Sequence, residues 1–284
     1  MEHTFSFLAE AERVATETRD PVKAMVPLRK LSLDDFGLFM ISLPNKRYPA
    51  LSNVLPNMAS NHIQETWTGA SGVELLKQTL AFTRIVENMV VRHTGRTLHD
   101  ASILDFGCGY GRILRMMYYY SDPEKIWGVD AWDKSLATCK EVRLLGNFAQ
   151  SDRVPINLPV GDTKFDVAFA FSVFTHLAPS AAIACLNAVR EHMVDGAVFI
   201  LTIRPIEFWP YIDAARKTKH QSTLMQAHRS SGVAYLPHGG VEGETYGDTS
   251  LTFDFFKGHE RWQFLGYDRS VFDTFQTSVI LEAK

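Results

Sequence analysis

Ile103-Leu104-Asp105-Phe106-Gly107-Cys108-Gly109-Tyr110-Gly111-Arg112-Ile113-Leu114 is the stretch whose reading decides the fold. Ile103, Leu104 and Phe106 make the short apolar run of a strand covered on both faces. Gly107, Gly109 and Gly111 allow a tight turn and leave the main chain bare for a ligand to approach. Arg112 to Tyr120 then reads as a helix with its apolar residues toward the sheet. Strand, glycine turn and helix open an α/β sheet, whose ligands sit beyond the carboxyl ends of its strands.

Two cofactor classes use such a turn. The dinucleotide fingerprint G-x-G-x-x-G needs a glycine where Arg112 stands, and the spacing here is D-x-G-x-G-x-G, with Asp105 at the strand end. A pyrophosphate at a helix N-terminus favours bare N–H groups without a carboxylate beside them. A carboxylate there suits a ligand with an ammonium group. The stretch resembles motif I of the class I S-adenosylmethionine-dependent methyltransferases. That resemblance implies S-adenosyl-L-methionine as cofactor. Gly107, Cys108, Gly109, Gly111 and Arg112 would lie along its methionine moiety, and Asp105 near its amino group. Read from the residues alone, a βα turn without a ligand stays open.

Lys125 to Trp132 is a second buried strand ending in an acid, and Asp130 follows Gly107 by about the twenty residues expected of a ribose-binding carboxylate. Such a carboxylate accepts charge-assisted hydrogen bonds from vicinal hydroxyls. Ala131 and Trp132 come next, the latter able to flank an adenine, and Asp133 to Leu145 reads as a helix with Asp133 as N-cap and Gly146 as stop. Asn147 to Gln150 is a short third strand. The family resemblance assigns the adenine amino group to Asp152 and a ring nitrogen to the backbone N–H of Arg153; a solvated loop acid is the alternative for Asp152.

Phe165 to Leu177 reads as a fourth buried strand running into an irregular turn, Phe171-Ser172-Val173-Phe174-Thr175-His176. It resembles motif IV of the same class and, more narrowly, a bacterial group with an SVFTHL stretch. By that resemblance Phe171 and Ser172 contact the cofactor and the turn faces the transferred methyl. His176 is the titratable group there that can serve as a base near neutral pH. Its other reading is structural, with the ring nitrogens fastening the turn to a neighbouring loop.

Upstream, residues 4–19 predict a helix, and residues 44–60 a loop rich in Pro, Asn and Ser. Gln64 to Gly72 follows, with Trp67, Thr68 and Gly69 before a helix over 73–93; Ser71 and Glu74 fit a capping box. The segment reads either as an ordinary helix start or as a loop over the cofactor's methionine end. Downstream, Ala181 to Met193 is helical and Ala197 to Ile203 a fifth strand. Residues 204–258 look weakly regular, as a segment serving a site would. His220, His228 and His238 there match no metal-ligand spacing, so no metal site is expected. Leu251 to Phe256 would open a last helix, and 262–267 and 278–281 two closing strands.

The 284 residues carry a net charge of −3, with 46% hydrophobic and 21% charged residues. These are globular values, and they argue against a nucleic-acid footprint. Three widely spaced cysteines and no C-x-x-C suit a reduced, cytoplasmic protein. No membrane span and no signal peptide are expected. The expected fold is a Rossmann-like α/β sheet of seven strands, mostly parallel with an antiparallel final strand. A helical N-terminal cap over 1–98 would precede a methyltransferase domain over 99–284, with a substrate-covering insert at 204–258. The expected reaction is methyl transfer to a small-molecule or glycan-type acceptor. Trp67, Trp209, Tyr211, Tyr235 and Tyr246 would serve as flat walls, and Arg204, His238 and Glu244 as polar groups. An NAD-dependent oxidoreductase and a non-catalytic S-adenosylmethionine-binding protein are the rival readings, and the oligomeric state stays open.

Overall fold

The computed structural model describes residues 2–284. The N-terminal third is helical: α1 (Glu2–Thr18), α2 (Pro21–Leu28), α3 (Leu33–Ile41), α4 (Pro49–Val54), α5 (Asn61–Thr68) and α6 (Gly72–Thr94). Leu8, Ala11 and Ala15 give α1 its buried stripe. The α1 carboxylate of Glu12 accepts from Ala50 N (2.7 Å) and Leu51 N (2.9 Å), capping α4 with a negative charge at its positive end. The loop expected at 44–60 therefore contains a helix, started by Pro49 at its first position.

The alternating part follows as β1 (Ile103–Phe106), α7 (Leu114–Met117), β2 (Ile126–Asp130), α8 (Asp133–Glu141), β3 (Asn147–Gln150), β4 (Phe165–Ala170), α9 (Pro179–Glu191) and β5 (Met193–Ile203). Then come α10 (Phe208–Arg216), α11 (Gln221–Ser231), β6 (Val233–Pro237), β7 (Gly247–Leu251), β8 (Trp262–Arg269) and β9 (Thr277–Ala283). Seven strands form one sheet in the order β3-β2-β1-β4-β5-β9-β8, and β6 pairs with β7 separately. β1 is parallel to β2, β2 to β3 and β4 to β5, while β9 runs antiparallel to both β5 and β8. The sheet is the Rossmann-like one expected, its final strand antiparallel. The chain divides into two compact units: residues up to Glu87 with Thr97–Gln150, and Asn88–Arg96 with Ser151–Lys284.

Three local expectations are corrected. The helix expected at 112–120 shrinks to α7. Tyr118, Tyr119 and Tyr120 leave it in three directions, their hydroxyls donating to Leu145 O (2.6 Å), Leu31 O (2.8 Å) and Glu87 Oε2 (3.0 Å). The Ser71 capping box does not form: Gln64 Oε1 accepts from Gly72 N at 3.1 Å, and Ser71 donates to Glu65 instead. Asp133 is the first residue of α8, and Trp132 occupies the cap position.

The largest departure is 204–258, which is regular: two helices and a two-stranded ladder pairing Val233 with Leu251. Its periodicity is hidden because polar residues are buried there, among them Asp213, His228, Asp248, Thr249 and Ser250. A small core of Phe208, Trp209, Leu224 and Ala234 holds it together. Leu251 ends β7, and Phe253–Phe255 is a single 3-10 turn, not a helix start.

Candidate active site

In the first unit the site begins where β1 ends. Gly107 N and Cys108 N both donate to Val129 O, at 2.7 and 3.1 Å, seating the glycine turn against β2. Asp130, at the end of β2, clamps two turns at once. Its Oδ2 accepts from Gly109 N and its Oδ1 from Trp132 N, both at 2.8 Å. The glycines differ in purpose. A Cβ on Gly109 (φ 54°) would meet nothing within 4 Å, so bare main chain faces open space there. A Cβ on Gly111 (φ 72°) would lie 2.0 Å from Leu144 Cδ2, so that position answers to packing.

Asp105 is 3% exposed. Burial pushes its carboxyl well above the usual range and the charge of Asp130 adds to this, while Arg112 and the N–H of Leu114 pull it back. Burial also raises the Asp130 carboxyl, against the hydrogen bonds it accepts. Arg112, drawn toward the α6 side, donates to Thr79 Oγ1 at 3.0 Å. Cys108 is buried. Its thiol is held well above the ordinary range by a hydrogen bond to Cys139 and by burial, so it is no nucleophile.

Trp67 lies 4.8 Å from Trp132, ring centre to centre, and 5.7 Å from Tyr110. Thr68 Oγ1 donates to Gln64 O (2.6 Å) and Ala70 O (3.1 Å), and Gly69 closes α5 in the left-handed region. The structure therefore gathers Trp67, Thr68, Gly69, the glycine turn, Asp130, Ala131 and Trp132 within one unit. Sequence reasoning overlooked Arg115. It is fully buried and donates to Gly111 O (3.3 Å) and Asn57 O (3.2 Å), propping the turn from behind. An arginine inside an apolar Ile-Leu-Arg-Met-Met run was the available signal.

In the second unit Asp152 and Arg153 are exposed on the loop after β3, and Phe171 is half-buried beyond β4. Ser172 has φ 62°, the left-handed region that a serine seldom adopts. Its N–H donates to Thr202 Oγ1 at 2.7 Å, its hydroxyl shares a hydrogen bond with Thr175 at 3.2 Å, and Gln276 Nε2 donates to it at 3.0 Å. Strain of this kind collects at functional turns.

His176 Nδ1 lies 2.7 Å from Gly247 O and so carries the proton; Nε2 accepts from Arg204 Nη2 at 3.2 Å. Burial and then the positive charge of Arg204 lower this imidazole to about 4. Its ring stacks on Tyr246 at 5.0 Å. Arg204 donates to Thr175 O (2.8 Å) and Asp248 Oδ1 (2.5 Å), with its guanidinium 4.0 Å from the Phe208 ring. Arg216 donates to Asp248 Oδ2 at 2.5 Å, and His238 Nε2 is 3.4 Å from the same oxygen. Asp248 is 1% exposed. Burial would raise its carboxyl, but the two arginines outweigh burial and hold it below the usual range.

His176, His238 and Asp248 bring ligand-type atoms within 4.8 Å of one another. Both Asp248 oxygens already face guanidinium N–H groups, and Arg204 occupies His176 Nε2. A metal ion there would meet two cations, so the group reads as a charge cluster. His228 bonds Ser250 Oγ at 2.8 Å, apart from that cluster. Trp209 is fully buried with its N–H on Ser250 Oγ, a core residue and not the wall expected of it. No helix among the described residues is long and apolar enough to cross a membrane.

Residues 103–196 match the family model described as a methyltransferase domain. Among solved structures, the plantazolicin methyltransferase BpumL in complex with SAH is 14% identical, with a TM-score of 0.50, covering 93% of this chain and 98% of that one. Magnesium protoporphyrin IX methyltransferase (ChlM) from Synechocystis PCC 6803 with bound SAH is 16% identical, with a TM-score of 0.48, covering 78% and 94%. At these identities the likeness to BpumL shows the fold.

Proposed function

We propose that this chain, a class I S-adenosylmethionine-dependent methyltransferase, acts on a small-molecule or sugar-bearing acceptor. Its cofactor is S-adenosyl-L-methionine. The observation that carries the reading is the methyltransferase-domain match at 103–196, which begins on a turn of bare main chain bracketed by Asp105 and Asp130. The donor set fits the cofactor. Asp130 keeps lone pairs for two ribose hydroxyls after accepting one N–H on each oxygen. Asp105 offers a buried carboxyl to an ammonium group, whose charge would offset the upward push of burial on that carboxyl. Trp67 and Trp132 offer apolar faces, and Thr68 and Gly69 the main chain beside them. Asp152 and the Arg153 N–H are assigned to the adenine edge, and Phe171 and Ser172 to the reacting end. Residues 1–98 are read as a cap and 204–258 as the acceptor-side insert.

When bound, the cofactor supplies an electrophilic methyl group on a sulfonium, and the chain's own contribution is to position reactants. His176 is assigned to positioning. Its Nδ1 proton is committed to Gly247 and its Nε2 lone pair to Arg204, so it fastens the turn after β4 and is a weak base. The net charge of −3 supports an acceptor other than nucleic acid. The test is a labelled-methyl transfer assay against metabolite, glycan and nucleic-acid fractions. Transfer to a small or sugar-bearing acceptor is expected. Transfer confined to RNA or DNA, lost steeply with salt, would refute the acceptor class.

A further inference from the structure

We propose that the acceptor carries an anionic oxygen group, a carboxylate or a phosphate ester, and that Arg216 and His238 hold it above Asp248. This rests on reading the second unit's charge cluster as the acceptor side of the methyltransferase. Its first ground is a charge imbalance. Two guanidiniums share one carboxylate, so among the described residues the cluster of Arg204, Arg216 and Asp248 carries a net charge of one positive. The second is a division of labour between the two arginines. Arg204 is 11% exposed and spent: it binds Thr175 O, Asp248 and His176 and lies on the Phe208 ring. Arg216 is 45% exposed and donates one N–H to Asp248, leaving the rest of its planar fork outward. A fork with free donors is the geometry that binds carboxylate and phosphate in pairs.

Preorganisation is the third ground. Asp248 is 1% exposed and anchors Arg216 at one point, so the exposed donors lose little freedom when an anion arrives. His238 is 37% exposed, and its Nε2 makes only a long 3.4 Å contact with the same Asp248 oxygen, so that one N–H can turn from Asp248 to an arriving anion. Tyr246 is 42% exposed, stacks on His176 and meets His238 edge-on at 5.5 Å, giving a flat wall beside the charge. An aromatic wall beside a few placed polar groups is what small-molecule sites use.

The probes are glucuronate for the carboxylate arm, glucose 6-phosphate for the phosphate arm and glucose as the neutral control. Ligand-observed NMR follows each against the whole chain with S-adenosylhomocysteine present. At least one anion should bind in the millimolar range, more weakly at high salt, and glucose should not. Arg216→Gln should weaken that binding by about tenfold and His238→Gln by less, because a charge-assisted pair outweighs a neutral donor. Unchanged melting and S-adenosylhomocysteine affinity in these variants establish that the fold is intact. Equal binding of glucose, absence of binding by both anions, or full binding by a folded Arg216→Gln overturns the proposal. So does saturable Mn2+ binding abolished by His238→Gln, which would make the cluster a metal site. Failure of the parent chain to bind S-adenosylhomocysteine would count against the cofactor roles assigned above, and the anion result would stand apart from it.

Discussion

Two aspartates, one half-buried and one buried, organise the two halves of this molecule, and their surroundings differ in kind. Asp130 is met by main-chain N–H groups from Gly109 and Trp132, and burial still raises its carboxyl. Asp248 is met by the guanidiniums of Arg204 and Arg216, which hold its carboxyl low despite burial. Neutral donors leave a desolvated carboxylate short of positive charge, so Asp130 and its neighbour Asp105 suit a ligand that brings donors and an ammonium. Two cations more than compensate Asp248, so it serves as an anchor and leaves positive charge outward. A carboxylate's role is set by what already compensates it.

The largest expected effect separates the two carboxylates by stability. Asp248→Ala leaves two arginines unpaired against one wall and should cost about 3–5 kcal/mol in urea unfolding. Asp130→Ala removes an acceptor from two neutral N–H groups and should cost about 1–3 kcal/mol. Equal losses would erase the distinction.

Acid sharpens it further. His176 falls from 6.5 to about 4 in the fold, so the folded state favours its neutral form. The stability it contributes is present above the unfolded value and is lost as pH drops from 6.5 toward 4, on the order of 2–3 kcal/mol. Asp248, held low, adds a further loss beneath the ordinary carboxylate range. His176→Gln should flatten the pH–stability curve between 6.5 and 4. An unchanged slope in that variant would show that the imidazole titrates normally.

The smallest effects lie within the glycine turn. Gly111→Ala drives a methyl into Leu144 and should destabilise the protein by about 1–3 kcal/mol. Gly109→Ala meets no neighbour, so its stability loss is limited to the left-handed conformation, about 1–2 kcal/mol. It should nevertheless weaken S-adenosylhomocysteine, because its methyl occupies the open side. Melting and calorimetry on both variants check this; if Gly111→Ala alone loses ligand, the open side of the turn has been misassigned.

The sequence made the first region more legible than the second for a physical reason. A glycine turn between a buried strand and a helix is local, so Asp105, Gly109 and Asp130 sit at fixed spacings along a short stretch. The sheet order followed from the same alternation. The cluster on Asp248 joins His176, Arg204, Arg216 and His238 across an intervening ladder, and no spacing announces it. The helices and the ladder of 204–258 are hidden in the sequence because Asp213, His228 and Asp248 are polar where a core-facing pattern would be apolar. The shortened α7 was missed because three consecutive tyrosines each follow a hydroxyl partner that lies far away in sequence.

The most direct test is calorimetry of S-adenosylhomocysteine binding to the parent chain, Asp130→Ala and His176→Gln. The parent and His176→Gln should bind alike, and Asp130→Ala should bind at least about tenfold more weakly, through lost charge-assisted hydrogen bonds. Undiminished binding by Asp130→Ala would contradict the ribose assignment.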